Sequence, residues 1–158
     1  MYKKILCPVD GSQTSNCGIN EAINLAKDQK AELRFLHVID LYFPILDASG
    51  DLNIIFIDEV LRRNGKQVLK KAEEAAHKAG VMCDSKGIEA MSTKVSEFII
   101  AEAEEWPADL IVMGTHGLRG IERLVMGSDA ETVARTSPVP VLLVRCLSDK
   151  DSKNDYTS

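Results

Sequence analysis

Short apolar runs alternate along the chain with longer segments in which apolar residues recur every three or four positions. The short runs have the length and composition of buried β-strands, and the longer segments have the periodicity of amphipathic helices. The runs predict five strands, at residues 4–9, 32–39, 81–90, 109–113 and 139–144. The periodic segments predict four helices, at residues 14–29, 54–79, 94–105 and 128–136.

The strict alternation of strands and helices predicts the fold class. Right-handed βαβ units produce a parallel sheet, so we expect an open, doubly wound α/β domain of five strands over residues 1–146. The third strand alternates imperfectly and carries charges, which favours a position at the sheet edge. Gly65 is a point at which the long second helix can be interrupted. The polar residues 147–158 are predicted to form a disordered tail.

Composition excludes several broad classes of function. The chain has 158 residues, a net charge of -5 and a pI of about 5.2. A mildly acidic surface argues against a broad footprint on nucleic acid or on an anionic membrane. No apolar run approaches the roughly 20 residues that a membrane-spanning helix needs. The first residues show no signal-peptide pattern, so the expected location is the cytoplasm.

The four cysteines predict no metal site. They form no CxxC pair and no cluster with histidine, so zinc binding is not expected. Cys7 and Cys146 are placed inside apolar, strand-like runs and are interpreted as small core residues, whereas Cys17 and Cys83 are expected to be more exposed. All four are predicted to be reduced thiols.

The candidate chemistry lies in a glycine-rich segment after the fourth strand. Gly114 and Gly117 are followed by nine residues and then by Gly127 and Ser128, where the fourth helix begins. Ligands of doubly wound folds bind beyond the carboxyl ends of strands, where such a loop lies. Glycine leaves the backbone amides unscreened, and amides at a helix N-terminus attract phosphate. The segment therefore predicts a phosphate site, with Arg119 and Arg123 as mobile cations.

A purely structural interpretation of the same segment stays open. Ser128 and Glu131 form a Ser-x-x-Glu capping box, and glycines after a strand are common turn residues. The pattern is neither the dinucleotide fingerprint nor a P-loop. Upstream, Ser12, Thr14 and Ser15 mark a helix start, and Ser92 or Thr93 is expected to cap the third helix.

Asp10 has two interpretations of its own. It ends the first strand, where an aspartate often caps a turn such as the one at Gly11 and Ser12. It also lies at the same sheet edge as the glycine-rich segment, where its carboxylate can face a ligand. Coordination of Mg²⁺ by Asp10 and phosphate oxygens is consistent with the preference of magnesium for one carboxylate plus phosphates.

The amino-acid sequences of these segments resemble those of the universal stress protein family, in particular its ATP-binding subgroup. The Gly-x-x-Gly, nine residues, Gly-Ser pattern is similar to that family's nucleotide-binding motif, as are KKILCPVDGS, LHVID, VMGTHG and MGSDAETVARTSPVPVLLVR. The resemblance covers residues 2–146. It implies an adenine nucleotide alpha hydrolase-like fold, with five parallel strands in the order 3-2-1-4-5 and helices on both faces.

The resemblance also implies roles around the base and the ribose. Asp10 is expected to face the ribose or a metal-bound phosphate. Pro8 and Val38 are expected to frame the adenine, with the Val38 backbone amide and carbonyl recognising its edge. Met113 and Gly114 are expected to line the base and the ribose.

Around the phosphates, the resemblance assigns Gly117, Gly127 and Ser128 to wrapping the anion. Asp129 departs from the pattern, because ATP-binding members usually carry a small or apolar residue there. Its carboxylate suits the helix dipole but repels a triphosphate if it faces inward, which keeps ADP and AMP in consideration. The strand at residues 141–144 is expected to pair antiparallel with its copy in a homodimer.

Three functions follow as alternatives. The first is a homodimeric stress-response regulator that binds ATP, or ADP, AMP or a cyclic nucleotide, and changes conformation with its ligand. The second is a nucleotide-independent interaction protein. The third is a slow ATPase, for which the sequence offers no firm catalytic base; His116 has no carboxylate near it in sequence to orient it.

Overall fold

The computed structural model of the chain describes residues 1–41, 51–91, 94–115 and 126–146, with side chains described from residue 56 onward in the second range. Several predicted features lie outside the described residues. These are Ser92, Thr93, His116, Gly117, Arg119, Arg123 and the tail at residues 147–158.

The predicted five strands and four helices are confirmed. The strands are β1 (Lys4–Pro8), β2 (Glu32–Asp40), β3 (Cys83–Ala90), β4 (Leu110–Gly114) and β5 (Val141–Val144). The helices are α1 (Gln13–Gln29), α2 (Asp51–Lys78), α3 (Val95–Glu105) and α4 (Ser128–Thr136). No helix in the described ranges is long and apolar enough to cross a membrane.

β5 begins two residues later than predicted, and its first residues explain why. The Val139 amide donates to the Ser137 hydroxyl at 3.2 Å, so it is engaged in a local turn. Pro140 has no amide hydrogen and contributes only its carbonyl, which accepts from Ile111 at 3.0 Å. Regular pairing therefore starts at Val141.

The sheet has the order β3-β2-β1-β4-β5, and its pairings are all parallel. This confirms the expected doubly wound topology. It also confirms the edge position of β3, whose alternating pattern of exposure contrasts with the fully buried β4. The chain runs outward from β1 through β2 to β3, and then crosses to the other side of β1 to form β4 and β5.

Each face of the sheet packs against two helices. On one face, Phe35 and Val112 belong to a core shared with Ile19 and Ala22 of α1 and with Ala72 of α2. The other face has its own core, in which strand residues meet α3 and α4. The members of this second core are Leu6, Leu36, Ile99, Ala103, Ala108, Ile111, Met113, Ala130 and Val133.

Gly65 does not interrupt α2, which runs unbroken over 28 residues. A Cβ at this position would lie 2.8 Å from Cδ2 of His37 and 3.1 Å from Cγ1 of Ile39. His37 cannot easily retreat, because its Nδ1 lies 2.7 Å from the Val9 carbonyl oxygen. The glycine is therefore explained by close contact between helix and sheet, and the expected break was wrong.

A buried carboxylate organises the surface where β2, β3 and α3 meet. Glu102 is 1% exposed and accepts from Nη1 of Arg34 at 2.9 Å and from Nζ of Lys86. Hydrogen bonds to Asp84 and Glu102 raise the pKa of the Arg34 guanidinium, with burial acting in the opposite direction. The guanidinium also lies 4.6 Å from the centre of the Trp106 ring. The buried charge is thus paired on two sides, as its burial requires.

The cysteine prediction was wrong for one pair. Cys17 and Cys146 form a disulfide between positions 129 residues apart, and neither is a fully buried core residue. Cys7 and Cys83 are free thiols; Cys7 lies in the core as expected, and Cys83 is half-buried. Burial raises the pKa of both thiols, and Glu73 and Asp84 raise that of Cys83 further.

A close approach between a helix and the sheet occurs at Gly114, the last residue of β4. A Cβ on Gly114 would lie 2.6 Å from the Thr14 carbonyl oxygen and 2.7 Å from its carbon. On the facing helix, a Cβ on Gly18 would lie 3.0 Å from the Gly114 amide nitrogen. Because both obstacles are backbone atoms, neither glycine tolerates a side chain without a shift of α1 away from β4.

We expect Gly114→Ala to lower the free energy of unfolding by about 2–3 kcal/mol, because overpacking against backbone forces α1 outward. For a chain of this size that is a fall in melting temperature of roughly 4–12 °C, measurable by circular dichroism. Gly87→Ala is the matched control, since its Cβ would meet only Cδ1 of Leu69 at 3.7 Å. Equal stability of the two variants would contradict the close-packing account.

Candidate functional site

The change of direction in the strand order creates a crevice between β1 and β4. The two strands are adjacent and parallel, with Ile5 opposite Leu110 and Leu6 opposite Ile111. α1, which follows β1, packs on one face of the sheet, and α4, which follows β4, packs on the other. Doubly wound folds bind ligands at such a point, beyond the carboxyl ends of the strands, which here means beyond Pro8 and Gly114.

The turn after β1 is held in one conformation by its own polar groups. Asp10 accepts from the Ser12 amide through Oδ1 at 2.9 Å, and its own amide donates to the Ser15 hydroxyl at 3.1 Å. Ser12 is the N-cap of α1 and accepts from the Ser15 amide at 3.1 Å. Gly11 completes the turn with a φ of +82°. Oδ1 of Asp10 therefore caps the turn at Gly11 and Ser12, as the first of its two interpretations predicted.

The backbone of Val38 points toward the same crevice. The Leu36 carbonyl accepts from the Val9 amide at 2.8 Å, on the β1 side of β2. Because strand residues alternate sides, the amide and carbonyl of Val38 also point to the β1 side. β1 ends at Pro8, which is paired with Leu36, so the Val38 groups lie beyond the last pair of that ladder. The side chains of Val38 and Met113 belong to the core on the α3 and α4 face.

Gly114 has a structural role that the sequence interpretation missed. Its bare Cα faces the Thr14 carbonyl at the start of α1, so the missing side chain makes room for the helix. The residue is also buried. The glycine is therefore accounted for by packing, without any ligand. Its position nevertheless matters for a site, because it brings the first turn of α1 against the end of β4.

Two backbone hydrogen bonds fix both ends of the glycine-rich segment. The Thr115 amide donates to the Val144 carbonyl at 3.0 Å, and the Gly127 amide donates to the Thr115 carbonyl at 2.8 Å. We call this pair of bonds the Thr115 clamp. It holds Gly127 beside the end of β4, which brings the beginning of α4 to the crevice. The Gly127 amide is consumed by this bond, so it is not one of the amides available to an anion.

The beginning of α4 differs from the predicted capping box. Gly127 is the N-cap, with φ −61° and ψ 146°, and no side chain caps the helix. Ser128 is the first helical residue and is exposed, so its hydroxyl is not used as the predicted cap. The first helical bond runs from the Glu131 amide to the Gly127 carbonyl, so the amides of Ser128 and Ala130 precede the helical ladder.

Asp129 reaches a neighbouring helix. Its Oδ1 accepts from the amide of Ser96 at 3.1 Å, in the first turn of α3. Lys94, the N-cap of α3, provides no side-chain capping bond, so Asp129 takes over that function from another helix. Its Oδ1 is therefore engaged at the α3 terminus.

Among the described residues, no group of three or more histidine, cysteine, aspartate or glutamate side chains is arranged to hold a metal ion. Asp10 places one carboxylate at the end of β1, beside the crevice. That donor set does not suit a metal held by protein alone. It fits Mg²⁺ that is held mainly by a phosphate ligand and water, with one protein carboxylate.

Three further residues build the site without having been predicted for it. Ser15 anchors the Asp10 turn, Thr115 joins β4 to α4 and β5, and Gly18 admits α1 to the sheet. Gly18 had a usable signal, because a glycine inside a helix costs about 1 kcal/mol relative to alanine and often marks close packing. Thr115 acts through its backbone amide and carbonyl, so the type of its side chain gives no signal for this role.

Comparison with known proteins agrees with this geometry. The sequence model of the universal stress protein family matches residues 1–145. Universal stress protein MJ0531 of Methanocaldococcus jannaschii is 40% identical over 147 residues, which cover 92% of this chain and 83% of the relative.

Two solved structures share the fold. Universal stress protein UspA from Lactobacillus plantarum superposes with a TM-score of 0.80 at 23% identity, over 91% of this chain and 98% of that one. A universal stress protein in complex with cAMP superposes with a TM-score of 0.65 at 25% identity, over 90% of this chain and 97% of that one. Taken with the family match along nearly the whole sequence, the conclusion is that this chain belongs to the universal stress protein family.

Proposed function

We propose that the protein is a cytoplasmic, homodimeric stress-response regulator that binds an adenine nucleotide, with ATP as the ligand, in the crevice between β1 and β4. The observation that carries the proposal is the Thr115 clamp, which brings the α4 N-terminus to the crevice where Asp10 and the Val38 backbone also lie. These groups offer the three kinds of contact that a nucleotide needs: anion donors, a polar group for ribose or metal, and a backbone edge for the base.

The phosphates bind at the beginning of α4 in this proposal. The amides of Ser128 and Ala130 precede the helical ladder, and the helix dipole favours an anion beside them. The exposed Ser128 hydroxyl adds a donor. Gly127 lets the backbone approach the ligand closely, and Gly117, outside the described residues, is proposed to complete the wrapping of the phosphates.

The base and the ribose bind nearer to β2. The Val38 amide and carbonyl offer one donor and one acceptor, the pattern needed to recognise the adenine edge. Pro8 and Met113 supply apolar groups at the ends of β1 and β4, and the Gly114 backbone borders the ribose in this proposal. The cAMP complex of a universal stress protein with the same fold supports an adenine nucleotide as the ligand class.

Mg²⁺ accompanies the triphosphate in this proposal and neutralises part of its charge. Asp10 is the protein ligand, through the carboxylate that the Ser12 amide orients. Asp129 lies in the phosphate-binding turn but holds the Ser96 amide, so its charge is directed away from the phosphates.

The homodimer forms through β5. Among the described residues this strand pairs with β4 alone, which leaves the other side of its backbone as a sheet edge there. The Val144 carbonyl and the Pro140 carbonyl face β4, so the amides of Val141 and Leu143 face outward. Leu142 adds an exposed apolar side chain. An antiparallel copy of β5 would satisfy these groups and cover Leu142.

Nucleotide binding is tested by thermal unfolding with and without ATP and Mg²⁺. At one hundred times the dissociation constant we expect about 2.7 kcal/mol of stabilisation, or a rise in melting temperature of roughly 5–11 °C. Gly127→Val should weaken binding at least tenfold while keeping the native far-UV spectrum, because its φ of −61° suits valine. Gly87→Val on β3 is the control. No shift with ATP, ADP, AMP or cAMP would favour a nucleotide-independent interaction protein.

The orientation of Asp129 is tested by comparing ATP and AMP affinities in Asp129→Asn, by isothermal titration calorimetry. Because the carboxylate is held at α3, we expect the ratio of the ATP and AMP affinities to stay within about threefold of the ratio in the unsubstituted protein. A carboxylate facing the phosphates would instead repel ATP more than AMP, so its neutralisation would favour ATP selectively. Such a selective gain would show that the bond to Ser96 does not set its direction.

The dimer is tested with Leu142→Glu in sedimentation equilibrium. Burying a carboxylate in the paired strands is unfavourable, so the dimer dissociation constant should rise at least tenfold. Met82→Glu replaces an equally apolar exposed residue near β3 and should leave the dimer unchanged. If the Met82 variant dissociates and the Leu142 variant does not, the β5 assignment is wrong.

A further inference from the structure

The disulfide between Cys17 and Cys146 joins α1 to the segment that follows β5. The two Cα atoms are 5.8 Å apart, within the usual range for this bond. Both cysteines are partly exposed. A thiol reagent can therefore approach the bond from solvent without unfolding the core.

The disulfide lies next to the contacts that build the crevice. Cys17 immediately precedes Gly18, whose backbone packs on the Gly114 amide. Cys146 follows Val144 by two residues, and the Val144 carbonyl is the acceptor that begins the Thr115 clamp. The bond thus ties α1, which packs against β4 on one face of the sheet, to the segment just beyond the end of β5.

We propose that Cys17 and Cys146 form a reversible thiol–disulfide exchange site whose state sets how firmly the Thr115 clamp is closed. A dithiol reductant attacks one sulfur, and the Sγ–Sγ bond breaks through a mixed disulfide. Two electrons and two protons pass to the pair, giving two thiols, and the reductant becomes a disulfide. Oxidised glutathione reverses the reaction, and is itself reduced to two thiols as the Cys17–Cys146 bond forms.

Reduction loosens the clamp because β5 is a short strand at the edge of the described sheet. It has four residues, pairs with β4 alone among the described strands, and its Val144 side chain is only partly buried against the core. Short edge elements with few buried contacts open locally at low free energy. With the disulfide cleaved, the Val144 carbonyl is free to leave Thr115 more often, and Gly127 follows.

After reduction, the two cysteines stay close enough to form the disulfide again. Sγ of Cys146 lies 3.3 Å from the Gln13 carbonyl oxygen at the start of α1. After reduction the Cys146 thiol can donate to that oxygen, which keeps it near Cys17. A cysteine pair that remains in place after reduction is suited to reversible exchange rather than to a single irreversible opening.

The other two cysteines are poor partners for exchange. Cys7 is fully buried, and its burial raises the pKa of the thiol. The pKa of the Cys83 thiol is raised by partial burial and by the charges of Glu73 and Asp84. Both stay protonated near neutral pH, and the thiolate is the reactive form. Exchange is therefore confined to the Cys17–Cys146 pair.

The exchange and the opening do not require a ligand. Their effect on nucleotide affinity rests on the proposed function: we expect the reduced protein to bind ATP at least threefold more weakly, because the α4 N-terminus is then less firmly placed. The experiment therefore measures the two parts separately.

The native protein is treated with dithiothreitol, alkylated, and analysed by peptide mass spectrometry, and amide hydrogen exchange is followed by NMR. We expect alkylation at Cys17 and Cys146 but not at Cys7. The Thr115 and Gly127 amides should exchange at least tenfold faster after reduction. The Leu33 amide, which donates to the Met82 carbonyl at the far side of the sheet, should not change. Oxidised glutathione should restore the slow rates.

Two variants complete the test. The double variant Cys17→Ser/Cys146→Ser should show fast exchange at Thr115 and Gly127 under both conditions, and Cys83→Ser should keep the full redox response. The proposal is overturned if the bond resists dithiothreitol under native conditions, or if reduction leaves the two amides unchanged. Failure of ATP to bind either form contradicts the nucleotide function alone, because alkylation and exchange are read without nucleotide.

Discussion

The structure depends on the contact between the first turn of α1 and the last residue of β4. Thr14 presents its carbonyl to Gly114 at a distance that no side chain would allow, and Gly18 lets the helix follow the strand. Because both sides of the contact are backbone, its geometry is set by bond lengths and van der Waals radii rather than by flexible side chains. α1 is thereby fixed beside the crevice, together with the Asp10 turn that precedes it.

The other parts of the candidate site are attached to this contact by hydrogen bonds. Ser15 links α1 to the Asp10 amide, and Thr115, one residue beyond Gly114, links β4 to both β5 and Gly127. Backbone groups therefore do most of the positioning, and side chains add specificity. A net charge of -5 does not conflict with the proposed anion site, because its proposed donors are amides at a helix N-terminus, which need no basic residue.

Local features of the fold were predictable from sequence, because they depend on neighbouring residues. Apolar runs marked all five strands, and Ser12 marked the start of α1 as its N-cap. The strand order required the family resemblance, since periodicity does not say which strands are adjacent. Within the candidate site, Asp10 and the α4 N-terminus were found from their positions at strand and helix ends.

Features that depend on distant residues were missed or misinterpreted. The Ser128 capping box failed because the helix begins with Gly127 as its N-cap, and Oδ1 of Asp129 accepts from the Ser96 amide, 33 positions away. Cys17 and Cys146 are separated by 129 residues, and nothing in their local sequence indicates pairing. Gly114 was interpreted only as a ligand-site residue, and its packing role, making room for α1, was missed.

The central claim is that the Ser128 amide and the Val38 amide belong to one adenine nucleotide site. An NMR titration of the labelled protein with ATP and Mg²⁺ tests it most directly. The account predicts that both amide resonances shift together and saturate at the same nucleotide concentration. It is contradicted if ATP binds while these two resonances stay in place, or if they respond with different saturation points.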